Sequence, residues 1–102
     1  MAIVFKYLYR DGGNFKNWGD VCLKNEQGLS VEEIDALIRE CLIDEMYFSA
    51  EKVGLPTLYF VERNDQLDHE WHEFDRVREG SSGDNLETTD IKEFIGLLLK
   101  SK

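Results

Sequence analysis

The sequence predicts one α+β domain over residues 1–102, a two-layer sandwich with an antiparallel four-stranded sheet and two helices on one face. Two observations predict it: four segments are rich in β-branched and aromatic residues, and two others carry apolar residues at helical spacing after polar capping residues. The order ββαββα is a pseudo-repeat of two ββα units, and joining their strands would bury both helices against one sheet. The composition, 42% hydrophobic and 32% charged, is that of a globular chain.

The first two strands are predicted to form a hairpin. Residues 2–9 (AIVFKYLY) have apolar side chains on both faces, which indicates one fully buried and one partly covered face. Residues 11–14 (DGGN) are typical of a turn, because Gly and Asn accept positive φ. Residues 17–24 alternate again, so we expect a hairpin with a loop longer than the two-residue minimum.

The first helix has the clearest pattern. Ser30 and Glu33 have capping-box spacing, which predicts the helix start. The helix is expected to end near Ile43 or Asp44, followed by an irregular segment up to Pro56. The residues of the apolar stripe are Ile34, Leu37, Ile38, Cys41 and Leu42.

The second half is predicted as two strands and a helix. Residues 57–62 (TLYFVE) indicate a strand by composition, and residues 63–66 a turn. Residues 70–78 (EWHEFDRVR) fit either a strand or a helix. We favour the strand, because its aromatic and charged residues are interleaved and because the pseudo-repeat requires it. Strand alternation puts His72 and Phe74 on one side and Trp71 and Val77 on the other.

A loop over residues 80–84 is expected to lead to the last helix. Thr89 is predicted to cap this helix. The residues of its apolar stripe are Ile91, Phe94, Ile95 and Leu98.

The charge of the chain restricts its partners. Twelve Lys and Arg stand against 21 Asp and Glu, a net charge of −9. Residues 1–24 carry +2 and the remainder −11. A chain this acidic repels phosphate backbones, so nucleic acid is not an expected partner. A protein with a basic surface is the partner that the acidic remainder predicts.

The cysteines and the apolar runs indicate the compartment. Cys22 and Cys41 are far apart without CxxC spacing, which predicts buried free thiols rather than a zinc or redox site. The apolar runs are too short for a membrane helix, and the N-terminus has neither a basic leader nor a small-residue cleavage site. We therefore expect a cytoplasmic protein that does not bind membranes.

Residues 9–19 form the first candidate binding site. Cations, amides, a carboxylate and aromatic rings are concentrated there. Arg10 and Lys16 can hold a carboxylate or phosphate, and Trp18 can stack on a ring. The alternative is a hairpin loop in which Asn14 caps the turn and Trp18 folds onto the sheet. The candidate residues are Arg10, Asp11, Asn14, Lys16, Asn17 and Trp18.

The same string carries a family resemblance. The segments YRDGGNFKNWG, LIDEMYFSAEKVGLP and DHEWHEF together resemble a family of small bacterial proteins for which no activity is established. The resemblance spans most of the chain and implies a bacterial cytosolic protein. It implies no reaction and transfers no catalytic residue.

A second candidate is a weak metal site near the second turn. Imidazole and carboxylate together suit Zn²⁺, Mn²⁺ or Fe²⁺. The spacing is not HExxH, and on a strand His69 and His72 would face opposite ways. A strand end with solvated acids and two incidental histidines is the alternative. The candidate ligands are Asp65, Asp68, His69 and His72.

These patterns lead to three hypotheses about function. The sequence has no GxSxG, P-loop or dinucleotide motif, so we expect a non-enzymatic binding or regulatory module without a cofactor. The alternative is a small metal-dependent hydrolase or nuclease, in which the 65–72 cluster holds a divalent metal and Arg10 and Lys16 neutralise a phosphate. The third is a homodimer formed through a sheet edge or through Leu97 and Leu99.

Overall fold

The computed structural model describes residues 2–59, 71–81 and 83–102. These residues form an α+β structure, as predicted, in which two helices accompany a mixed sheet. The elements are β1 (Ala2–Arg10), β2 (Lys16–Lys24), α1 (Val31–Glu40), β3 (Tyr47–Phe48), a 3-10 helix (Glu51–Val53), β4 (His72–Glu79), β5 (Leu86–Asp90) and α2 (Ile91–Ser101). Within the described residues, no helix combines the length and the apolar character needed to cross a membrane.

The predicted hairpin of β1 and β2 is confirmed. The strands pair antiparallel from Ala2 opposite Lys24 to Arg10 opposite Lys16. The N–H of Asp11 donates to the carbonyl of Phe15 at 3.0 Å and closes the loop. Asn14 has a φ of 67°, in the left-handed region that Asn tolerates better than most residues.

The sheet differs from the predicted one. It has five strands in the order β3-β4-β1-β2-β5, and β5 runs parallel to β2, so the prediction of four antiparallel strands is wrong. The pseudo-repeat is wrong too, because β4 pairs with β1 and β3 while β5 pairs with β2.

Gly80 explains how the chain leaves β4 for the far side of β2. A Cβ atom on Gly80 would lie 3.0 Å from the Cβ of Ala2 and 3.2 Å from the sulfur of Cys22. The backbone therefore passes directly over the ends of β1 and β2. This path places β5 beside β2 instead of in a second hairpin.

The strand predicted over residues 70–78 is confirmed from His72 onwards as β4, whereas Trp71 is not in the strand and residue 70 lies outside the described residues. The strand has one irregularity. The pairing with β1 shifts between Arg76 opposite Lys6 and Phe74 opposite Tyr7, which leaves Asp75 as an extra residue in a β-bulge. Both Phe74 and Val77 therefore face the core, whereas strict alternation had put them on opposite sides.

The helix ends differ from the prediction in part. The Oγ of Ser30 accepts a hydrogen bond from the N–H of Glu33 at 3.1 Å, which confirms the predicted cap. Helix α1 ends at Glu40, before the predicted Ile43 or Asp44. The N–H groups of Cys41 and Leu42 donate to carbonyls three residues earlier, and the N–H of Ile43 donates to the carbonyl of Tyr47 at 2.9 Å, so the α-helical hydrogen bonds do not continue beyond Glu40.

Helix α2 is capped by Asp90 and not by Thr89, which belongs to β5. The Asp90 carboxylate accepts a hydrogen bond from the N–H of Lys92 at 2.9 Å. The pairing of residues 86–90 with β2 keeps the chain extended one residue beyond Thr89, so the helix begins at Ile91.

One cluster of buried side chains joins both helices to the same face of the sheet. Ile3, Phe5 and Tyr7 of β1 pack in it with residues of α1 and α2. Cys22 and Cys41 are buried free thiols, as predicted, and burial raises the pKa of both. The helix residues of the cluster are Ile34, Ile38, Ile91, Phe94 and Leu98.

The strand predicted over residues 57–62 is wrong for residues 57–59, which have no strand conformation. Residues 60–62 and the turn predicted at 63–66 lie outside the described residues.

Candidate functional site

Arg10 is held by the protein itself. Its Nε donates to Oε2 of Glu73 on β4 at 2.9 Å, and its Nη2 lies 3.5 Å from Oε1. Its Nη1 donates to Oδ1 of Asn14. The hydrogen bond to Glu73 raises the pKa of Arg10. The guanidinium therefore ties the hairpin loop to the neighbouring strand.

Asp11 also stabilises the loop. Its Oδ1 accepts hydrogen bonds from the N–H groups of Gly13 and Phe15, both at 2.9 Å. This is the local pattern by which Asp fixes a turn. Arg10, Asp11 and Asn14 were predicted to bind a ligand, and the structure places all three in the hydrogen bonding of the loop.

Asn17 lies on the helix side of the sheet. Its Nδ2 donates to the carbonyl of Leu58 at 3.1 Å. Tyr7 donates from its hydroxyl to the carbonyl of Pro56 at 2.7 Å, and Nε2 of His72 accepts from the N–H of Leu58 at 2.9 Å. Side chains from three adjacent strands therefore hold the backbone of residues 56–58, which do not form a strand.

Leu58 packs where Gly19 has no side chain. A Cβ on Gly19 would lie 3.1 Å from both Cδ1 of Leu58 and Cζ of Tyr7. Burial, followed by the charge of Asp20, raises the pKa of Tyr7 to about 12. The Tyr7 hydroxyl is accordingly a donor in the core.

His72 is fully buried among aromatic rings. The ring centroids of Tyr9 and Tyr59 both lie 5.3 Å from that of His72. As placed, its Nε2 lone pair accepts the Leu58 N–H and is not available to a metal. The other predicted ligands, Asp65, Asp68 and His69, lie outside the described residues. Among the residues that are described, no group of three or more His, Cys, Asp and Glu can hold a metal.

Lys16 and Trp18 lie on the face of the sheet opposite the helices. We call this the open face because the helices do not pack on it, although Val4, Leu8 and Cys22 on this face are buried. It is formed by Ala2, Val4, Lys6, Leu8 and Arg10 of β1 and by the residues of β2 and β4 that pair with them. Trp18 is 51% exposed and pairs with Leu8, which is buried.

Cations are concentrated on the open face. Among the described residues, six Lys and Arg lie on it, although the net charge of the chain is −9. The strand carboxylates of this face are Asp20 and Glu73. The six cations are Lys6, Arg10, Lys16, Lys24, Arg76 and Arg78.

Three of these cations have carboxylate partners. Arg10 pairs with Glu73, Arg78 lies 3.2 Å from Asp84, and Arg76 lies 3.4 Å from Asp75. Considering the described residues alone, the lysines of the open face form no ion pair within 4.0 Å. These are Lys6, Lys16 and Lys24.

Exposed aromatic rings lie at one end of the sheet. Trp18 lies two residues after the start of β2, Phe15 in the adjacent loop is 70% exposed, and Trp71, directly before β4, is 40% exposed. Because β1 pairs antiparallel with both neighbours, the start of β2 and the start of β4 flank the end of β1. Aromatic and cationic side chains therefore share this end.

Lys16 and Trp18 were predicted from the sequence as site residues, whereas Lys6 and Arg76 were not. These two lie directly opposite each other on β1 and β4. Each is a cation in a segment whose alternating pattern predicts a strand, so its place on a strand face could be predicted. That the two residues are paired could not be predicted, because it depends on the register between two distant segments.

No protein-family model matches the sequence, and neither a curated protein nor a solved structure shows significant similarity to the chain. The resemblance to a bacterial family therefore stays a prediction.

Proposed function

We propose that this chain is a non-enzymatic binding module that contacts a protein partner through the open face of its sheet. The observation that carries the proposal is the concentration of six cations on the face that carries a half-exposed tryptophan, in a chain of net charge −9. From the family resemblance we further propose a bacterial, cytoplasmic protein.

The cross-strand pairs of the open face support a binding role. Lys6 lies opposite Arg76, and Arg10 lies opposite Lys16. Like charges directly opposite each other destabilise a sheet. Asp20 lies opposite Lys6 on β2 and Glu73 binds Arg10, so carboxylates offset part of this repulsion. Lys6 and Lys16 form no ion pair among the described residues and are available to an anionic group.

Trp18 supports the same role. Tryptophan and arginine are enriched among the residues that dominate protein–protein binding energies, particularly where they lie close together. The indole of Trp18 lies in the row between the two cation pairs, and half of its surface is exposed.

The open-face side chains that do not stabilise the hairpin loop are suited to binding a partner protein. Arg10, Asp11 and Asn14 stabilise the hairpin loop, whereas Lys6, Lys16 and Trp18 are the groups on the open face that a partner can contact. Ammonium groups and an indole bind anions and apolar side chains.

The proposal is tested by capture of partners with the full-length chain from a lysate of its source organism, at low and at moderate salt. We expect a partner that is retained by the wild type and lost by Trp18→Ala. The matched control is Leu99→Ala, which removes a side chain that is 61% exposed on α2 and should retain the partner. Equal retention by all three proteins, or loss with Leu99→Ala alone, would contradict the proposal.

A further inference from the structure

We infer that the open face binds an extended protein segment in which an apolar side chain lies between two carboxylates. This inference rests on the proposed function and adds the chemistry of the partner. It follows from the spacing of three rows of side chains and from the net charge of the face.

The three rows cross β4, β1 and β2 in order. The first row contains Arg76, Lys6 and Asp20, the second contains Glu73, Leu8 and Trp18, and the third contains Arg10 and Lys16. We call the first and the third row the cation rows, because two of the residues on the open face in each are cations. Residues that share a strand face recur about every 6.7 Å, so the two cation rows are about 13 Å apart.

An extended peptide has the same repeat as the strands below it. Its side chains at positions i and i+4 are about 13 Å apart, and the side chain at i+2 lies midway on the same face. When i+2 contacts Trp18, side chains i and i+4 lie over the two cation rows. Carboxylates at those positions would meet Lys6 and Lys16, which form no ion pair among the described residues.

The net charge of the face favours a peptide over a nucleic acid. Counted over the residues that the structure describes, the six cations face four carboxylates, Asp20, Glu73, Asp75 and Asp84, which leaves a net charge of +2. A nucleic-acid backbone is bound by neutralising many phosphates, and the chain as a whole carries −9. Two or three carboxylates match this face better.

A second copy of the chain is a poor occupant of the open face. A two-fold contact places the same surface on both sides of the interface. In such a dimer the cations on the open face of one copy would therefore lie against the cations of the other copy and repel them. This argues for a different protein and separates the proposal from the homodimer expected through Leu97 and Leu99.

The test is selection of a random 12-residue peptide display library on the immobilised full-length chain. We expect enriched peptides with two or more Asp or Glu residues around an aromatic or aliphatic residue. Their affinity should fall at least tenfold with Trp18→Ala and with the double variant Lys6→Glu/Arg76→Glu. The control Lys92→Glu/Lys100→Glu makes the same charge change on exposed positions of α2 and should leave affinity unchanged.

Circular dichroism checks that each variant is folded. If Lys6→Glu/Arg76→Glu is unfolded, Lys6→Gln/Arg76→Gln replaces it, with Lys92→Gln/Lys100→Gln as its control.

The outcomes separate this inference from the proposed function. If the enriched peptides are neutral or basic but still need Trp18, the inference that the bound segment is acidic is wrong. The open face then remains the proposed binding surface. A parallel selection with a random 20-nucleotide single-stranded RNA pool overturns the inference if RNA is enriched and peptides are not. Peptides that bind the wild type and the open-face variants equally overturn both proposals, and a library without enrichment overturns the inference.

Discussion

Nε2 of His72 accepts a hydrogen bond from the backbone N–H of Leu58 at 2.9 Å, although Leu58 belongs to no strand. This bond, together with those from Tyr7 and Asn17, holds residues 56–58 against the sheet. The histidine proposed as a metal ligand is in this structure a buried acceptor that positions backbone.

His72→Ala is expected to lower the free energy of unfolding by about 3 kcal/mol, because it creates a cavity and leaves the Leu58 N–H without its acceptor. Urea unfolding followed by circular dichroism measures the change. Asn17→Ala is the comparison, since its bond to the Leu58 carbonyl is exposed and its loss should cost about 0.5–1 kcal/mol. A smaller effect for His72→Ala than for Asn17→Ala would show that the imidazole does not hold the segment.

Gly19→Ala should destabilise the protein by about 1–3 kcal/mol, because its methyl group would press on Leu58 and Tyr7. Gly96→Ala is a control of opposite sign. Gly96 lies inside α2 with open space around its Cβ direction, so alanine should stabilise the helix by about 0.5–1 kcal/mol. Thermal unfolding of both variants tests the pair. Equal shifts of the two melting temperatures would contradict the close approach at Gly19.

The local elements were predictable from the sequence because their determinants are local. The alternation of residues 2–9 and the spacing of Ser30 and Glu33 depend on neighbours in the chain, and the hairpin and the helix start were correct. The placement of β5 was not predictable, since it depends on the path of the chain past Gly80. The bulge at Asp75 likewise depends on pairing with β1.

The candidate site was predictable to a similar degree. The unusual composition of residues 9–19 drew attention to Lys16 and Trp18, which lie on the open face. Composition did not reveal that Arg10 is bound by Glu73, which is 63 residues away. Composition also did not reveal that Arg76 lies next to Lys6, because their proximity depends on the register between β4 and β1.

The pair of Arg10 and Glu73 is expected to stabilise the hairpin loop. A double-mutant cycle with Arg10→Ala and Glu73→Ala should give a small but measurable stabilising coupling free energy, because the bond is charged but partly exposed. Asn14 should lose its bond to the guanidinium in both Arg10 variants, and hydrogen exchange of the loop amides should accelerate there. A coupling energy near zero would place the pair among ordinary surface contacts.

Asp84 is expected to make stability depend on pH in acid. The hydrogen bond from Arg78, followed by that from the Ser81 N–H, lowers the pKa of Asp84 to about 2. Its contribution is therefore fully present above the ordinary Asp pKa of about 4 and is lost as the pH falls towards 2. The free energies of unfolding of wild type and Asp84→Asn should differ at pH 6 and converge near pH 2.

Arg78→Gln is the control for this pH dependence, because removing the guanidinium should return the pKa of Asp84 towards its usual range. Carbon-detected NMR titration of the Asp84 carboxyl follows the change. An Asp84 carboxyl that titrates near pH 4 in the wild type would exclude the ion pair.

The most direct measurement of the open face is ionic quenching of Trp18 fluorescence in a Trp71→Phe variant, where Trp18 is the single tryptophan. Each quenching constant is divided by that of free N-acetyltryptophanamide with the same ion, because iodide is intrinsically the more efficient quencher, and iodide and caesium are compared by these normalised constants. The flanking pairs of Lys6 with Arg76 and Arg10 with Lys16 should attract iodide, so iodide should quench more strongly than caesium at equal ionic strength, despite the net charge of −9. Lys6→Glu/Arg76→Glu should reverse this order. Stronger quenching by caesium in the Trp71→Phe protein would contradict a cationic open face around Trp18.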